Sequence, residues 1–256
     1  MDCILALMKK GAFKEAYNAL NDLEAELPGL SRNGDIQVLR AEMESLANDD
    51  DSKVREALEK AKELGCRDWG TYYKMHGNLM WNEGKLEQAV QDYRHSIALV
   101  PHVSTMTLLA HALAELQDRD VVRVCHEILV RDPDNCDGYI YLGRNACQCG
   151  NAGEAMRLAD KARGLVRSAD EFFELAHLYY ELDNIEVALS LYLQADERGY
   201  VRKALLHACI AACYLSLGDL ESTGKCIERA ASFDPDEYVK EVLREYKRRL
   251  PASNAD

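Results

Sequence analysis

The chain has 256 residues, and 44 Asp and Glu against 31 Lys and Arg give it a net charge of −13. Such a charge disfavours the nucleic-acid backbone as the main partner, because a polyanion is repelled by an acidic surface. The lysines of the first ten residues follow the apolar run, the reverse of a secretory signal. No stretch approaches the roughly 20 apolar residues of a membrane span. We therefore expect a soluble, cytoplasmic protein with no nucleic-acid partner and no membrane insertion.

Nine cysteines are spread along the chain. Their number is odd, and their spacing is not that of a small secreted disulfide framework. Most fall on the apolar faces of predicted helices, where a free Cys acts as a small hydrophobe. This usage favours a reducing compartment.

A small residue inside a helical apolar pattern returns at a near-constant interval of 33 to 35 residues. It is found at Gly77, Ala110, Gly143, Ala176 and Ala211. A repeat of this length predicts one supersecondary unit stacked into a solenoid. The five prolines all fall at unit ends, and no alternating strand pattern of useful length is present.

Each unit is predicted to be two antiparallel helices. In the clearest one, residues 68–100, the first helix contains Gly77 and the second contains Ala89 and Tyr93. Gly84 between them suits a left-handed C-cap. The small residue lets the second helix approach closely, and larger apolar or aromatic residues fill the space between units.

The predicted organisation is one continuous solenoid domain. In chain order it comprises a truncated N-terminal helix pair (1–33), a divergent unit (34–67), a regular unit (68–101), a second divergent unit (102–134), regular units (135–168, 169–202 and 203–235), a C-terminal capping helix (236–250) and a disordered tail (251–256).

The recurring motif resembles the tetratricopeptide repeat (TPR). It reads Met75-His76-Gly77-Asn78-Leu79-Met80, Tyr141-Leu142-Gly143-Arg144-Asn145-Ala146 and Glu174-Leu175-Ala176-His177-Leu178-Tyr179 in three units. The resemblance covers essentially the whole chain. It implies an all-α, right-handed α-solenoid of antiparallel helix pairs, a TPR-like superhelix. In that family the first helices line a concave groove and the second helices form the convex back.

The sequence contains only fragments of known metal-binding and catalytic motifs. His126-Glu127 begins like a zinc-protease helix, but Val130 stands where the second histidine belongs. Residues 132–138 lack the ligand spacing of a calcium loop, and Cys209 with Cys213 lacks two further converging ligands. No glycine-rich phosphate loop or nucleophile elbow is present. We therefore expect no catalytic residues, no cofactor and no metal, and hence no enzyme.

Register within the repeat predicts which first-helix residues face the groove. They are Lys74, Asn78, Trp81, Asn82, Thr107, His111, Tyr141, Arg144, Phe173, His177 and Tyr180. Aromatic residues with one Lys and one Arg on a single strip favour peptide binding, because aromatic and Arg side chains are the usual anchors of recognition.

Chaperone-binding members of this family grip a terminal carboxylate with a clamp of Lys, Asn and Arg residues. Lys74 and Asn78 match its opening pair, but the next helix offers Thr107 and the third offers Asp137, which would repel a carboxylate. A complete clamp is therefore not predicted.

A partner segment with apolar anchors and one acidic group near Lys74 or Arg144 fits better. The sequence thus predicts a scaffold or adaptor that binds a peptide or helical segment of another protein. One alternative is a dedicated chaperone that shields an apolar segment of a secretion or assembly substrate. Another is a self-assembling structural protein that forms homo-oligomers through the truncated first unit, where Ile4, Leu5 and Leu7 lack coverage.

Overall fold

A computed structural model describes residues 2–48 and 50–250, and within these ranges the chain is helical with no β-strand. The helices are α1 (Asp2–Lys9), α2 (Phe13–Glu26), α3 (Gly34–Ala47), α4 (Asp51–Leu64), α5 (Trp69–Asn82), α6 (Leu86–Leu99), α7 (Val103–Glu115), α8 (Asp120–Arg131), α9 (Cys136–Gln148), α10 (Ala152–Arg163), α11 (Ala169–Glu181), α12 (Ile185–Glu197), α13 (Lys203–Ser216), α14 (Leu220–Ala231) and α15 (Glu237–Arg249), with a 3₁₀ turn at Leu30–Arg32. The tail predicted at 251–256 lies outside the described residues.

Consecutive helices pack in pairs, and the predicted all-α repeat solenoid is confirmed. The contacts divide the chain into two compact units, Met1–Val124 and Cys125–Asp256, with the boundary inside α8. The first unit contains the pairs α3–α4 and α5–α6, and the second contains α9–α10, α11–α12 and α13–α14. Among the described residues, no helix has both the length and the apolar character needed to cross a membrane.

Most helices begin where a side chain accepts a hydrogen bond from the first turn. Asp68 accepts from Thr71 N at 3.0 Å, and Asn135 accepts from Gly138 N at 3.0 Å. Ser168 forms a full capping box with Glu171. Each cap satisfies a backbone N–H that has no partner within the helix, and its loss costs about 1 kcal/mol.

The turn inside the repeat adopts a left-handed conformation at one recurring position. It is occupied by Gly84 (φ 73°), Gln117 (54°), Gly150 (75°), Asp183 (58°) and Gly218 (78°). In the α7–α8 turn, Gln117 N donates to Ala114 O and Asp118 N donates to Leu113 O, which satisfies the last carbonyls of α7. The left-handed C-cap predicted at Gly84 is therefore found, and two turns achieve it without glycine.

The Gln117 turn provides a test of this geometry. A side chain with a β-carbon costs about 1–2 kcal/mol in the left-handed region, so Gln117→Gly should raise the free energy of unfolding by about 1 kcal/mol. The matched variant Gln91→Gly, on the exposed face of α6, should lower it by about 1 kcal/mol. Urea unfolding followed by circular dichroism measures both, and a destabilised Gln117→Gly protein would contradict the assignment.

The close approach of α5 and α6 depends on Gly77. A β-carbon added there would lie 2.6 Å from Cε1 of the Tyr93 ring, inside van der Waals contact. Tyr93 cannot easily move, because its ring is 1% exposed and its hydroxyl donates to Asn78 Oδ1 at 3.0 Å. Ala89, the small residue on α6, is fully buried. The small residues therefore set how near the two helices lie.

Gly77→Ala should lower the free energy of unfolding by about 1–3 kcal/mol, because the added methyl group overpacks this contact. Gly153→Ala is the matched control, since an added β-carbon there meets nothing within 4 Å. The control should be neutral or slightly stabilising. Equal urea midpoints for the two variants would contradict the predicted role of Gly77.

The truncated N-terminal pair is better covered than its sequence indicates. Ile4 is 3% exposed and packs in one cluster with Ala16, Leu20 and Met43. The expectation that Ile4 lacks coverage is therefore wrong, because α2 and α3 supply its neighbours. Leu5 remains 44% exposed.

Candidate functional site

The two residues that open the predicted clamp are engaged within the first unit. Lys74 Nζ donates to Glu42 Oε1 on α3 at 2.6 Å, so its charge is already paired. Asn78 Oδ1 accepts the hydroxyl proton of Tyr93 on α6. A carboxylate approaching these residues would compete with both contacts.

The other residues of the first unit that are predicted to face the groove lie on α5 and α7. The Trp81 ring is half-buried, with its centroid 6.4 Å from that of His111. Asn82 is exposed and donates to Asp51 Oδ1 at 3.0 Å. Thr107 Oγ1 is enclosed and has no hydrogen bond to a described residue. Of these, Trp81 offers the apolar surface that a ligand could contact.

In the second unit, Arg144 lies between two carboxylates. Its Nη1 donates to Glu174 Oε2 at 3.2 Å, and its Nη2 is 3.7 Å from Glu181 Oε1. The Arg144 side chain is 27% exposed, and partly solvated ion pairs of this kind are worth little in stability. They nevertheless neutralise the guanidinium, so an acidic ligand group would have to displace a glutamate.

Two aromatic residues that the sequence places in the groove lie mostly below the surface. Tyr141 is 5% exposed, and burial raises its pKa well above the usual value for tyrosine. Phe173 is 7% exposed, and its ring stacks on Tyr200 with centroids 4.3 Å apart. These two rings therefore belong to the core.

His177 joins α11 to α12. Its Nδ1 lies 3.2 Å from the Tyr192 hydroxyl, and its Nε2 lies 3.6 Å from Glu181 Oε1. Burial, with repulsion from Arg144, lowers the pKa of His177 to about 4. Desolvation also raises the pKa of the Glu181 carboxyl. The imidazole is therefore neutral at physiological pH.

Cys209 on α13 packs against the core cluster that contains Tyr192. Burial raises the pKa of Cys209 to about 11. A thiol of that pKa stays protonated at neutral pH and is a poor nucleophile. The arrangement of His177, Tyr192 and Cys209 is thus suited to holding side chains in place.

A partly open cavity of about 130 Å³, here called the tyrosine cavity, lies among α11, α12, α13 and α15. Its lining residues are His177, Tyr180, Tyr192, Leu205, Ala208, Cys209, Ala212, Tyr238, Val239, Val242 and Tyr246. Leu205, Ala208, Cys209 and Ala212 all come from α13, where small side chains leave the space open.

The sequence predicts only part of this lining. His177 and Tyr180 belong to the predicted strip, but the contribution of α15 was missed because that helix was interpreted as a polar cap. Tyr238, Val242 and Tyr246 recur every four residues on α15, and this apolar stripe was the signal that could have revealed it.

Among the described residues, one cluster has the composition of a metal site. A ligand atom of each of Cys136, Asp137 and Glu171 lies within 4.8 Å of the others. Glu171, however, already accepts from Arg167 N and Ser168 N as part of its capping box, and burial raises the pKa of the Cys136 thiol. Helix N-termini also disfavour cations. These contacts explain the cluster without an ion.

Comparison with known proteins identifies the fold. Neither a family model nor a curated protein matches the sequence. A chain of the APC/C hetero-tetramer Cut9–Hcn1 matches with a TM-score of 0.74 and 16% identity, over 95% of this chain and 48% of that one. A tetratricopeptide repeat protein from Parabacteroides merdae matches with a TM-score of 0.67 and 17% identity, over 96% of both chains. A thermophilic TPR protein from Thermus thermophilus matches with a TM-score of 0.57 and 17% identity, over 70% of this chain and 97% of that one.

The class defined by the fold is therefore the TPR solenoid, as the sequence motif predicts. This chain spans about half the length of the Cut9–Hcn1 chain that it matches. At these identities the likeness concerns the fold alone.

The lowered pKa of His177 has a consequence for stability. In the unfolded chain this histidine takes up a proton below about pH 6.5, whereas in the folded protein it stays neutral down to about pH 4. Between these values the unfolded state binds more protons, so the contribution of His177 to stability falls as the pH falls.

We expect the difference in unfolding free energy between the wild type and His177→Gln to decrease from pH 7 to pH 5. The variant lacks the titrating group, while all other groups titrate in both proteins. Urea titrations at each pH measure this difference, and parallel pH profiles would show that His177 titrates normally in the folded protein.

Proposed function

We propose that this chain is a non-catalytic, protein-binding scaffold or adaptor that holds a peptide or helical segment of a partner. The observation that carries the proposal is the tyrosine cavity, where three tyrosines from α11 and α15 surround a floor of small α13 residues. Preformed apolar cavities with a few polar groups are the usual anchor points for ligands. The ligand would then bear most of the ordering cost.

The cations of the predicted strip are paired within the chain, and this supports apolar contacts as the main source of affinity for a partner. Lys74 is bonded to Glu42, and Arg144 is bonded to Glu174 and lies near Glu181. Each cation of the predicted strip has a carboxylate from the chain itself. An acidic group on the partner would therefore add less than the apolar side chains beside it.

The state of the cysteines supports a non-catalytic protein in a reducing compartment such as the cytoplasm. All nine are free. Burial raises the pKa of Cys125 to about 12 and that of Cys213 to about 12, so both are protonated at neutral pH. Thiols of this kind act as small apolar core residues.

The same apolar cavity favours the chaperone alternative as a second candidate. A chaperone would accept many apolar segments with similar affinity, whereas an adaptor would select one sequence pattern. Selection from a random peptide library distinguishes the two, because only an adaptor should yield a consensus.

Tyr180→Ala tests the proposed surface. Selected peptides should bind this variant about tenfold more weakly than the wild type, because an aromatic anchor is lost. Tyr139→Ala is the matched control, since Tyr139 is also partly buried against the same core but lies outside the cavity. Isothermal titration calorimetry measures the affinities, and circular dichroism confirms that each variant is folded.

Unchanged binding by Tyr180→Ala would refute the proposed surface. Trp81→Ala and Arg144→Ala extend the test to the other predicted residues. We expect a larger loss for Trp81→Ala, because the Arg144 charge is already paired.

A further inference from the structure

The described residues that line the tyrosine cavity include no Asp, Glu, Lys or Arg. His177 lines it as a neutral imidazole, and the remaining lining is aliphatic, phenolic or thiol. An anion would lose its hydration here without meeting a positive charge, and a cation would meet only the faces of the tyrosine rings, so a neutral ligand loses least on entering. The lining therefore favours a neutral ligand.

The size of the cavity limits that ligand further. Its volume of about 130 Å³ is close to that of an engineered apolar cavity of about 150 Å³ that binds benzene in another protein. One six-membered ring fills such a space. The tyrosine rings around it provide edges and faces against which an aromatic ring packs well.

The tyrosine hydroxyl groups of the cavity favour a ligand that has a polar substituent. Tyr192 is bonded to His177, and Tyr180 and Tyr246 bring two further hydroxyl groups to the lining. Burial raises the pKa of Tyr246 to about 12, so its hydroxyl remains a proton donor. These hydroxyls can donate to an oxygen or nitrogen substituent on a bound ring.

Helix α15 is as much a part of the site as α11 and α13. It supplies Tyr238, Val239, Val242 and Tyr246 to the lining. It packs on the rest of the unit through Val239 and Leu243, which are 2% and 4% exposed and share a core cluster with Ala208 and Ala211 of α13. Its apolar side chains therefore form one wall of the cavity.

We propose that the tyrosine cavity binds one neutral aromatic ring with a hydrogen-bond-accepting substituent. The ring arrives either as a small free molecule or as a side chain of a partner segment. In the second form the inference rests on the proposed function, whereas the first is independent of it.

Phenol tests the site directly, with tetramethylammonium as the charged probe of similar size. Ligand-observed NMR should show saturable phenol binding to the full chain and no competition by tetramethylammonium. Val242→Phe should weaken phenol binding at least tenfold, because its own ring occupies the cavity. Val130→Phe is the matched control, since Val130 is 83% exposed and lies outside the cavity, and it should bind phenol as the wild type does.

Ala212→Leu, which narrows the cavity from α13, replaces Val242→Phe if the latter fails to fold by circular dichroism. Equal phenol affinity in the wild type and in a folded, filled variant would overturn the proposal. So would an absence of saturable phenol binding, or displacement of phenol by tetramethylammonium.

Library-selected peptides then distinguish the two sources of the ring. If phenol displaces a peptide with a Phe or Tyr anchor, the ring belongs to a partner. If phenol binds but leaves peptide binding unchanged, the cavity serves a free molecule. If no peptide binds while phenol does, the proposed function fails and the ring site stands.

Discussion

The structure depends on the close approach of the two helices of a repeat at a small residue. Gly77 admits the Tyr93 ring, and the buried tyrosine hydroxyl then needs a partner. Asn78 supplies it from 15 residues upstream. His177 meets the Tyr192 hydroxyl in the same register, also 15 residues apart, one position after the small residue Ala176. In these two repeats the residue after the small one therefore holds the second helix, and this explains why Asn78 and His177 are less available to a ligand than register alone predicts.

The 33-residue period was enough to predict the fold, because each repeat needs only local periodicity and a neighbour. It also assigned His177 and Tyr180 to one surface, and both line the tyrosine cavity. Register could not predict side-chain pairs between neighbouring first helices. Lys74 finds Glu42 across 32 residues and Arg144 finds Glu174 across 30, and such pairs depend on side-chain reach as well as on helix face. The part played by α15 was hidden because its charged residues dominate its composition.

Electrostatics and packing lead to the same description of the ligand. The chain has a net charge of −13. Glutamates on the first helices nevertheless form ion pairs with Lys74 and Arg144 of neighbouring first helices. What remains for a ligand is aromatic and aliphatic surface with a few hydroxyl groups. Affinity built on such contacts changes little with ionic strength, because salt screens charges and leaves apolar burial in place.

Helix α15 supplies part of the lining of the proposed ligand site. The helix rests on α13 and α14 through a short apolar stripe, so its detachment costs less than unfolding of the whole unit. Detachment also removes one wall of the cavity. A ring bound in the proposed site would therefore stabilise the attached state by mass action, and amide hydrogen exchange along α15 would measure occupancy. The C-terminal helix thus reports on a site to which it also contributes.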